Sequence, residues 1–304
     1  MSQAASGARR SSSTGTSAAG DDHGWLDSAA TLATIEAKSA RENFSVASRL
    51  LPRRARRHLL AIYAFARLVD DVGDEAPGNR GQLLDVVDDD IDRLVGDAVP
   101  RIAVLRALAP TVRECHLPLD PFHRLVEANR RDQTVHRYPD FATLREYCTL
   151  SANPVGHLVL GVFDVATADR LALSDDVCTS LQLVEHWQDV AEDAASGRIY
   201  LPQEDMARFG VAEADLRAEH AGSGLRRLLA FEVARAQALL TRGARLVGSL
   251  PGPARLAVAG FAGGGQAALD ALAVADFDVL AGAPKAGPGA ILAATGRLLL
   301  RRSA

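Results

Sequence analysis

At the end of its first quarter the chain reads Leu59-Leu-Ala-Ile-Tyr-Ala-Phe-Ala-Arg-Leu-Val-Asp-Asp-Val-Gly-Asp-Glu75. The apolar residues of this run return at steps of three and four, which is the spacing of one face of an α-helix. The same spacing recurs far downstream, in Leu225, Leu228, Leu229, Val233, Ala236, Leu239 and Leu240. No run of residues alternates between apolar and polar as a half-buried strand would. The pattern therefore predicts an all-α protein.

Helix-breaking residues divide the chain into segments of about 15 to 30 residues, a length suited to stacked helices. The breaks lie at Leu51-Pro52, Ala76-Pro77-Gly78, Val99-Pro100, Pro118 to Pro121, Tyr138-Pro139, Gly197 and Pro251-Gly252-Pro253. We expect a single helical domain over residues 25–282. Residues 1–24 are mostly Ser, Ala, Gly and Thr, which predicts a disordered tail.

The composition excludes several classes of protein. Of the 304 residues, 48% are hydrophobic and 24% are charged, which is the balance of a globular chain. The net charge of −4 argues against a nucleic-acid partner, whose phosphates call for a basic domain. Cys115, Cys148 and Cys178 are odd in number and form no CxxC pair, so neither a disulfide framework nor a zinc site is expected. We expect a cytoplasmic protein.

Acidic residues crowd the end of the first quoted helix. On a helix, Tyr63, Arg67, Asp70 and Asp74 form one stripe. Like charges four residues apart repel, and acids near a helix C-terminus oppose the helix dipole, so stability does not favour this arrangement. A solvated helix end before the turn at Ala76-Pro77-Gly78 explains the stripe as well as a functional site does.

A second acidic stripe follows in Gln182-Leu-Val-Glu-His-Trp-Gln-Asp-Val-Ala-Glu-Asp193. Here Gln182, Glu185, Asp189 and Asp193 are separated by steps of three, four and four, and apolar residues occupy the other faces. Two polar stripes on otherwise apolar helices can face each other across a cavity. The repetition makes a functional site the better interpretation of both stripes.

Paired carboxylates suit Mg²⁺, which takes oxygen ligands and is often held by one or two carboxylates together with substrate phosphates. Two aspartate pairs on opposing helices would hold Mg²⁺ around one diphosphate and neutralise the charge that develops when its C–O bond breaks. Departure of the diphosphate from an allylic or cyclopropylcarbinyl carbon leaves a carbocation. Apolar and aromatic walls are needed to keep that cation from water.

At these residues the sequence resembles the squalene/phytoene synthase family of head-to-head isoprenoid enzymes. Four segments carry the resemblance: Glu42-Asn-Phe-Ser-Val-Ala-Ser-Arg-Leu-Leu-Pro52, Tyr63 through Glu75, Tyr147-Cys-Thr-Leu-Ser-Ala-Asn-Pro-Val-Gly156, and Gln182 through Pro202 with its ending Gly197-Arg-Ile-Tyr-Leu-Pro202. The first and third segments are most similar to the branch that converts presqualene diphosphate to hydroxysqualene in bacterial hopanoid biosynthesis.

The resemblance implies an isoprenoid-synthase-like helical bundle with a central apolar cavity. It also implies a Mg²⁺-dependent carbon–oxygen lyase that releases diphosphate from presqualene diphosphate, and no NADPH. The Mg²⁺ ligands would be Asp70, Asp74, Asp189 and Asp193. Catalytic positions fall on Tyr63, Arg67, Tyr147 and Asn153, and substrate contacts on Phe44, Arg67, Gln182 and Glu185. From the residues alone, Tyr147 can equally be a core aromatic and Asn153 a helix cap.

Two features depart from expectation. The family usually has Asn where this chain has Glu185, which adds a carboxylate to the site. Gly263-Gly264-Gly265 follows no predicted strand, so it is a weak candidate for a dinucleotide-binding loop and we do not assign NADPH to it.

Other functions remain open at the level of sequence. The main alternative is condensation of two prenyl diphosphates to presqualene diphosphate, dehydrosqualene or phytoene, because that reaction needs the same aspartates. A chain-elongating prenyltransferase ranks lower, since the second site is not a DDxxD motif. A non-catalytic isoprenoid-binding subunit is disfavoured by the retention of all four aspartates.

The C-terminal residues 283–304 form a basic amphipathic segment. They contain Lys285, Arg297, Arg301 and Arg302 and no acidic residue. The segment is either a frayed last helix or a peripheral contact with an anionic membrane. Besides the prenyl diphosphate substrate, enzymes of the same pathway are candidate partners.

Overall fold

The computed structural model describes residues 24–26 and 51–300 of the chain. The predicted substrate contact Phe44 and, except for Gly24, the expected disordered tail lie outside the described residues. The described part confirms the all-α prediction. Its one β-type feature is an isolated parallel bridge between Arg137 and Ile199.

Thirteen α-helices and two short 3₁₀ helices make up residues 51–300. The α-helices are α1 (Arg53–Asp74), α2 (Arg80–Ile91), α3 (Ala103–Glu114), α4 (Asp120–Asp132), α5 (Phe141–Ser151), α6 (Asn153–Val162), α7 (Ala168–Gln188), α8 (Val190–Ala195), α9 (Gln203–Phe209), α10 (Ser223–Gly243), α11 (Arg245–Ser249), α12 (Gly252–Val274) and α13 (Pro288–Leu300). The 3₁₀ helices are Asp92–Leu94 and Glu213–Arg217.

Helix α1 is the centre of the first half of the bundle. It starts after Pro52 and ends before the turn at Ala76-Pro77-Gly78, where Gly78 takes a φ of 80° that favours glycine. Its apolar face packs against α2, α3 and α4. Phe65 of α1 meets Phe122 of α4 edge to face, with 5.1 Å between ring centroids. This packing fixes the acidic end of α1 beside α4.

Helix α7 is the centre of the second half. It runs along α10, and the two approach closely because Gly243 has no side chain. A Cβ at position 243 would lie 2.7 Å from the backbone nitrogen of Val177. Leu183 and Trp187 of α7 are fully buried in this core. The apolar faces on both sides of its polar stripe thus anchor α7 in the bundle.

Helix α12 contains the three consecutive glycines, and two of them, Gly263 and Gly265, allow close packing against neighbouring helices. A Cβ at Gly263 would lie 2.7 Å from the backbone nitrogen of Thr295 in α13. Among the described residues, α12 is also the one helix whose length and apolar character would allow it to cross a membrane, and half of its apolar window is buried in the bundle. Such burial is typical of a core helix.

Candidate active site

The carboxylates at the end of α1 have partners within the protein. Asp71 is buried and accepts a hydrogen bond from Nε of Arg67 at 2.9 Å. Asp70 accepts one from Nδ2 of Asn129 at 3.3 Å. Arg67, predicted to contact phosphate, thus forms an ion pair with the neighbouring acid on its own helix. The sequence stripe did not include Asp71.

Asn129 reaches Asp70 because residue 73 is a glycine. A Cβ at Gly73 would lie 2.2 Å from Oδ1 of Asn129, a distance that two such atoms cannot share. Gln133 of the next turn donates a hydrogen bond from Nε2 to the carbonyl oxygen of Gly73 at 3.0 Å. The glycine within the acidic run therefore brings α4 against the site.

Asp70 lies in a recess that solvent can still enter. Its side chain is exposed, yet desolvation by the surrounding protein raises the pKa of its carboxyl to about 6. The hydrogen bond from Asn129 and the charge of Arg67 act in the opposite direction, and the like charges of Asp74 and Asp71 add to the increase. A cation bound here would relieve that cost.

The second acidic stripe contains a break that the sequence did not predict. Helix α7 ends at Gln188 and α8 begins at Val190, so Asp189 joins two helices. The expectation of one continuous helix through Asp193 is wrong at this residue. Asp189 and Asp193 nevertheless remain one helical turn apart, because the Asp193 backbone N–H donates to the Asp189 carbonyl oxygen at 2.8 Å.

Crowding of negative charge is greatest in the second cluster. Desolvation, followed by the charge of Asp189, raises the pKa of Asp193 to about 7. The pKa of Asp189 is also raised, first by desolvation and then by Glu192. Within residues 51–300, no side chain forms a hydrogen bond or ion pair with either of these two carboxylates. The pair therefore has no direct side-chain partner among the described residues, although the charges of Lys285 and Arg198 act on it.

Arg198 connects the two clusters. Its Nη2 atom donates to Oδ1 of Asp74 at 2.8 Å, and its charge lowers the pKa of Asp193 against the effects of burial and of Asp189. Burial alone would lower the pKa of Arg198, but the bond to Asp74 and the charges of Asp74, Tyr200 and Asp132 raise it well above its usual value. One arginine thus acts on aspartates from both stripes.

Asp132 is a further carboxylate of the site, at the end of α4. Its Oδ2 atom accepts a hydrogen bond from the Tyr147 hydroxyl at 2.6 Å. Desolvation raises the pKa of Asp132 to about 6, and the charges of Asp74 and Asp70 contribute to the increase, while Arg198 lowers it. The candidate catalytic residue Tyr147 is therefore both buried and directed at the acidic centre.

Aromatic rings surround this centre. Tyr138, Tyr147 and Tyr200 lie with their ring centroids 5.5 to 5.9 Å apart. His186 stacks on Tyr200 at 3.7 Å, and its Nε2 atom is 3.2 Å from Nε2 of the predicted substrate contact Gln182. Burial lowers the pKa of His186 to about 3, so its imidazole is neutral at physiological pH. The rings form an uncharged wall next to the carboxylates.

The remaining predicted residues occupy distinct environments. Asn153 is buried as the first residue of α6, and its Oδ1 accepts a hydrogen bond from the Thr179 hydroxyl at 3.0 Å. It thus joins α6 to α7, and helix α6 has no side-chain cap. Tyr63 is half-buried on α1, whereas the side chain of Glu185 is exposed on α7.

The segment between α12 and α13 also reaches the site. Nε2 of Gln188 donates to the carbonyl oxygen of Pro284. The charge of Lys285 next to it lowers the pKa of Asp189, against the larger effect of desolvation. Lys285, which the sequence associated with the basic C-terminal segment, therefore belongs electrostatically to the second acidic cluster.

The donor set fits Mg²⁺ held jointly with a phosphate ligand. Among the described residues, no three His, Cys, Asp or Glu side chains converge into a ready-made metal site. Mg²⁺ commonly binds one or two carboxylates and completes its shell with water and substrate phosphates, so two aspartate pairs suffice. Desolvation, reinforced by neighbouring carboxylates, raises the pKa of both Asp70 and Asp193, and a bound cation would offset this cost.

The sequence stripes omit four residues that tertiary packing adds to the site: Asn129, Asp132, Arg198 and Lys285. The sequence contains a signal for two of them, Asn129 and Arg198. Gly73 interrupts the acidic helix end and leaves room for Asn129. Arg198 lies in the segment Gly197 to Pro202 that carries the family resemblance. Asn129 and Asp132 lie on a helix whose sequence shows no acidic repeat.

Comparison with known proteins gives the same family. The family model "Squalene/phytoene synthase" matches residues 37–290. A hydroxysqualene synthase of Zymomonas mobilis is 35% identical over 204 residues, which are 66% of this chain and 68% of that protein. A presqualene diphosphate synthase of Rhodopseudomonas palustris is 34% identical over 200 residues, 64% of this chain and 71% of that protein.

A solved structure agrees in both fold and sequence. The squalene synthase HpnC from Alicyclobacillus acidocaldarius superposes with a TM-score of 0.73 and 41% identity, covering 84% of this chain and 98% of that one. The helical bundle, the two acidic clusters and these similarities lead to one conclusion. The chain belongs to the squalene/phytoene synthase family.

Proposed function

We propose that the protein is a Mg²⁺-dependent lyase that converts presqualene diphosphate to hydroxysqualene and releases inorganic diphosphate. The observation that carries the proposal is the pair of acidic clusters, which Arg198 joins through its bond to Asp74 and its charge on Asp193. Such a cluster pair suits a trianionic leaving group bound through metal ions.

The residues that would hold Mg²⁺ are Asp70 and Asp74 at the end of α1, Asp189 just before α8 and Asp193 within α8. When bound, Mg²⁺ neutralises the negative charge that builds on the diphosphate as the C–O bond breaks. Arg198 donates to Asp74 and lowers the pKa of Asp193, and its other N–H groups suit phosphate oxygens. Lys285 contributes a second cation, whose charge lowers the pKa of Asp189.

The aromatic wall would protect the carbocation left on the hydrocarbon. Tyrosine ring faces carry partial negative charge and stabilise a cation without reacting with it. His186 is neutral, so it adds no positive charge beside that cation. The hydrogen bond to Asp132 fixes the Tyr147 hydroxyl. The cyclopropylcarbinyl cation would rearrange with opening of its three-membered ring, and a water molecule would then form the C–O bond and give its proton to the released diphosphate, so no hydride donor is needed.

Similarity to known enzymes is compatible with two reaction steps. The 35% identity to the hydroxysqualene synthase favours capture by water. The second candidate is condensation of two prenyl diphosphates, which the 34% identity to the presqualene diphosphate synthase favours. Both reactions require departure of diphosphate from the same kind of site.

Product analysis separates the two reactions. The purified protein is incubated with Mg²⁺ and either presqualene diphosphate or farnesyl diphosphate, and the products are identified by mass spectrometry. We expect hydroxysqualene and diphosphate from presqualene diphosphate, and no conversion of farnesyl diphosphate. Formation of presqualene diphosphate from farnesyl diphosphate would establish the condensing reaction instead. Asp189→Asn serves as the inactive control in both arms.

A further inference from the structure

Two buried carboxyl groups outside the candidate active site lie together where α9 packs against α10. Glu232 of α10 is completely buried, and Asp205 of α9 is 3% exposed. Both contact one nitrogen of a single arginine, since Nη1 of Arg235 donates to Oδ2 of Asp205 at 2.5 Å and to Oε1 of Glu232 at 3.0 Å. If both acids of this pair, hereafter the acid pair, were ionised, a negative charge would remain uncompensated away from water, which is costly.

The second carboxyl oxygen of Glu232 indicates how the protein avoids this cost. Oε2 is buried, and no donor among the described residues forms a hydrogen bond with it. The side chain of Asp205 lies close enough to share a hydrogen bond with Glu232, but ionised carboxylates are acceptors only. The two acids can therefore bond to each other only when one of them carries a proton.

The proton belongs on Glu232 at neutral pH. Desolvation raises the pKa of its carboxyl to about 8, and the hydrogen bond and charge of Asp205 add to the increase, while Arg235 lowers it. The acid pair then carries one negative charge against one arginine. Above pH 8 both acids are ionised, and they repel each other within the core.

The groups around the acid pair do not supply a further buried charge. Arg208 of α9 lies over the ring of Phe231 at 4.7 Å, but it is exposed to solvent. Next to the acid pair, α7 and α12 form hydrogen bonds to α10 through Ser180 and Gln266, which are uncharged. Among the described residues, Arg235 is therefore the cation that determines how many protons the acid pair holds.

The acid pair lies next to a chain segment that reaches the active site. Asp205 follows the segment Gly197 to Pro202 by three residues, and that segment carries Arg198 and Tyr200. The chain turns from the segment directly into α9, where the Asp205 N–H donates to the carbonyl oxygen of Pro202 at 3.1 Å. The ion pair that Asp205 forms with α10 therefore anchors one end of this segment.

Arg235 extends the anchor to a third helix. Its guanidinium carbon lies 4.2 Å from the ring centroid of Phe231 and 4.5 Å from that of Phe141, the first residue of α5. Tyr147 lies on the same helix α5. The acid pair and its arginine thus join α10 to the two elements that supply Tyr147 and Tyr200 to the aromatic wall.

We propose that Asp205 and Glu232 share one proton and act as positioning residues, which hold Arg198 and Tyr200 in place at the active site. Loss of that proton sets two buried negative charges against one arginine and loosens α9 from α10. Tyr200 then loses its packing in the aromatic wall, and Arg198 its place between the acidic clusters. The proposal rests on the proposed function only for its effect on turnover.

Near-ultraviolet circular dichroism of the full-length protein, recorded against pH, tests the proposal without substrate. Three of the four tyrosines of the chain form the aromatic wall, so their signal reports its packing. Burial raises the pKa of each of these three tyrosines, so their own ionisation does not contribute near pH 8. We expect the wild-type signal to change with a midpoint at about pH 8.

Two variants test the acid pair independently. Glu232→Gln and Asp205→Asn should each remove the transition near pH 8, because either leaves one carboxylate for one arginine and keeps an N–H donor between the side chains. Glu204→Gln is the matched control, since it makes the same change at an exposed acid of α9 and should keep the transition. Far-ultraviolet circular dichroism checks that each variant is folded.

Turnover over the same pH range gives a second measurement. Wild-type turnover should fall up to about tenfold from pH 7 to pH 9, because about one molecule in ten keeps a proton one unit above its pKa. The proposal is overturned if the wild type shows no spectroscopic transition, if Glu232→Gln or Asp205→Asn keeps it, or if Glu204→Gln also loses it. Absence of turnover with a normal spectroscopic transition would contradict the proposed function alone.

Discussion

In the acidic cluster at the end of α1, Asp70, Asp71 and Asp74 each have a protein partner: Asn129, Arg67 and Arg198. In the cluster beside α8, Asp189 and Asp193 have no such partner among the described residues, and Asp193 carries the more strongly raised pKa. Side-chain hydrogen bonds within the protein therefore hold the carboxylates of the first cluster in place. The second has no such partner to offset its charge, so under the proposed function we expect it to change most when Mg²⁺ and diphosphate bind.

The largest expected effect comes from removing one aspartate of each cluster. Asp70→Ala and Asp189→Ala should each reduce turnover about 100-fold or more at saturating Mg²⁺, because both clusters act on the same leaving group. Neither substitution should destabilise the fold at pH 7, because each removes a carboxylate whose pKa desolvation and neighbouring acids raise. Both variants should unfold within about 0.5 kcal/mol of wild type or be slightly more stable.

Steady-state kinetics and urea unfolding measure the two effects. Near wild-type turnover in either variant would mean that one cluster is dispensable. A loss of more than about 1 kcal/mol in either variant would mean that the carboxylate stabilises the fold through its contacts.

The next largest effect concerns the link between the clusters. Arg198→Gln should lower turnover about tenfold to 100-fold, because Asp74, Asp132 and Asp193 lose the arginine charge they share. It should also raise the Mg²⁺ concentration that gives half-maximal rate. The matched control is Arg137→Gln, which breaks the exposed pair of Arg137 with Glu213. If Arg198→Gln has the turnover and Mg²⁺ dependence of wild type, Arg198 contributes to folding but not to the reaction.

An intermediate effect is expected at Glu185, one turn before Asp189. Glu185→Asn should keep most of the activity and shift the Mg²⁺ dependence, since it replaces a charged oxygen by a neutral one. Glu185→Lys should nearly inactivate the enzyme by placing a cation where a metal is expected. A Mg²⁺ dependence that neither substitution changes would indicate that this exposed side chain points away from the site.

The smallest effect is the pH dependence of stability without metal. Burial and Asp189 raise the pKa of Asp193 from 3.8 to about 7. Between these values the folded protein keeps a proton that the unfolded chain releases, so this carboxyl destabilises the fold increasingly as pH rises from about 4 to about 7. Asp193→Asn should therefore lose part of the decrease in Tm over this range. Thermal melts of wild type and Asp193→Asn at several pH values, with chelator present, measure this effect. If Tm falls with pH equally in both proteins, Asp193 does not titrate in this way.

The sequence was sufficient to predict what depends on local spacing. Steps of three and four among apolar residues predicted the helices, and the same steps among acids predicted Asp70, Asp74, Asp189 and Asp193 as one group. The pairing of Arg67 with Asp71 was missed because it depends on which side of α1 is covered. The break at Asp189 was also missed, since neither proline nor glycine marks it.

The residues that complete the site could not be predicted because distant segments supply them. Asn129 and Asp132 reach it through the close contact of α4 with Gly73. Lys285 reaches it through a loop held by Gln188 and lies far from Asp189 in the sequence. The predicted substrate contact Phe44 and the central apolar cavity remain predictions.

The central claim is that both clusters bind one diphosphate through Mg²⁺. Titration calorimetry with inorganic diphosphate, with and without Mg²⁺, tests it most directly on the wild type, Asp70→Asn and Asp189→Asn. We predict Mg²⁺-dependent binding to the wild type that either substitution weakens at least about tenfold. Diphosphate binding that does not need Mg²⁺, or that persists unchanged when one cluster is altered, would contradict the claim.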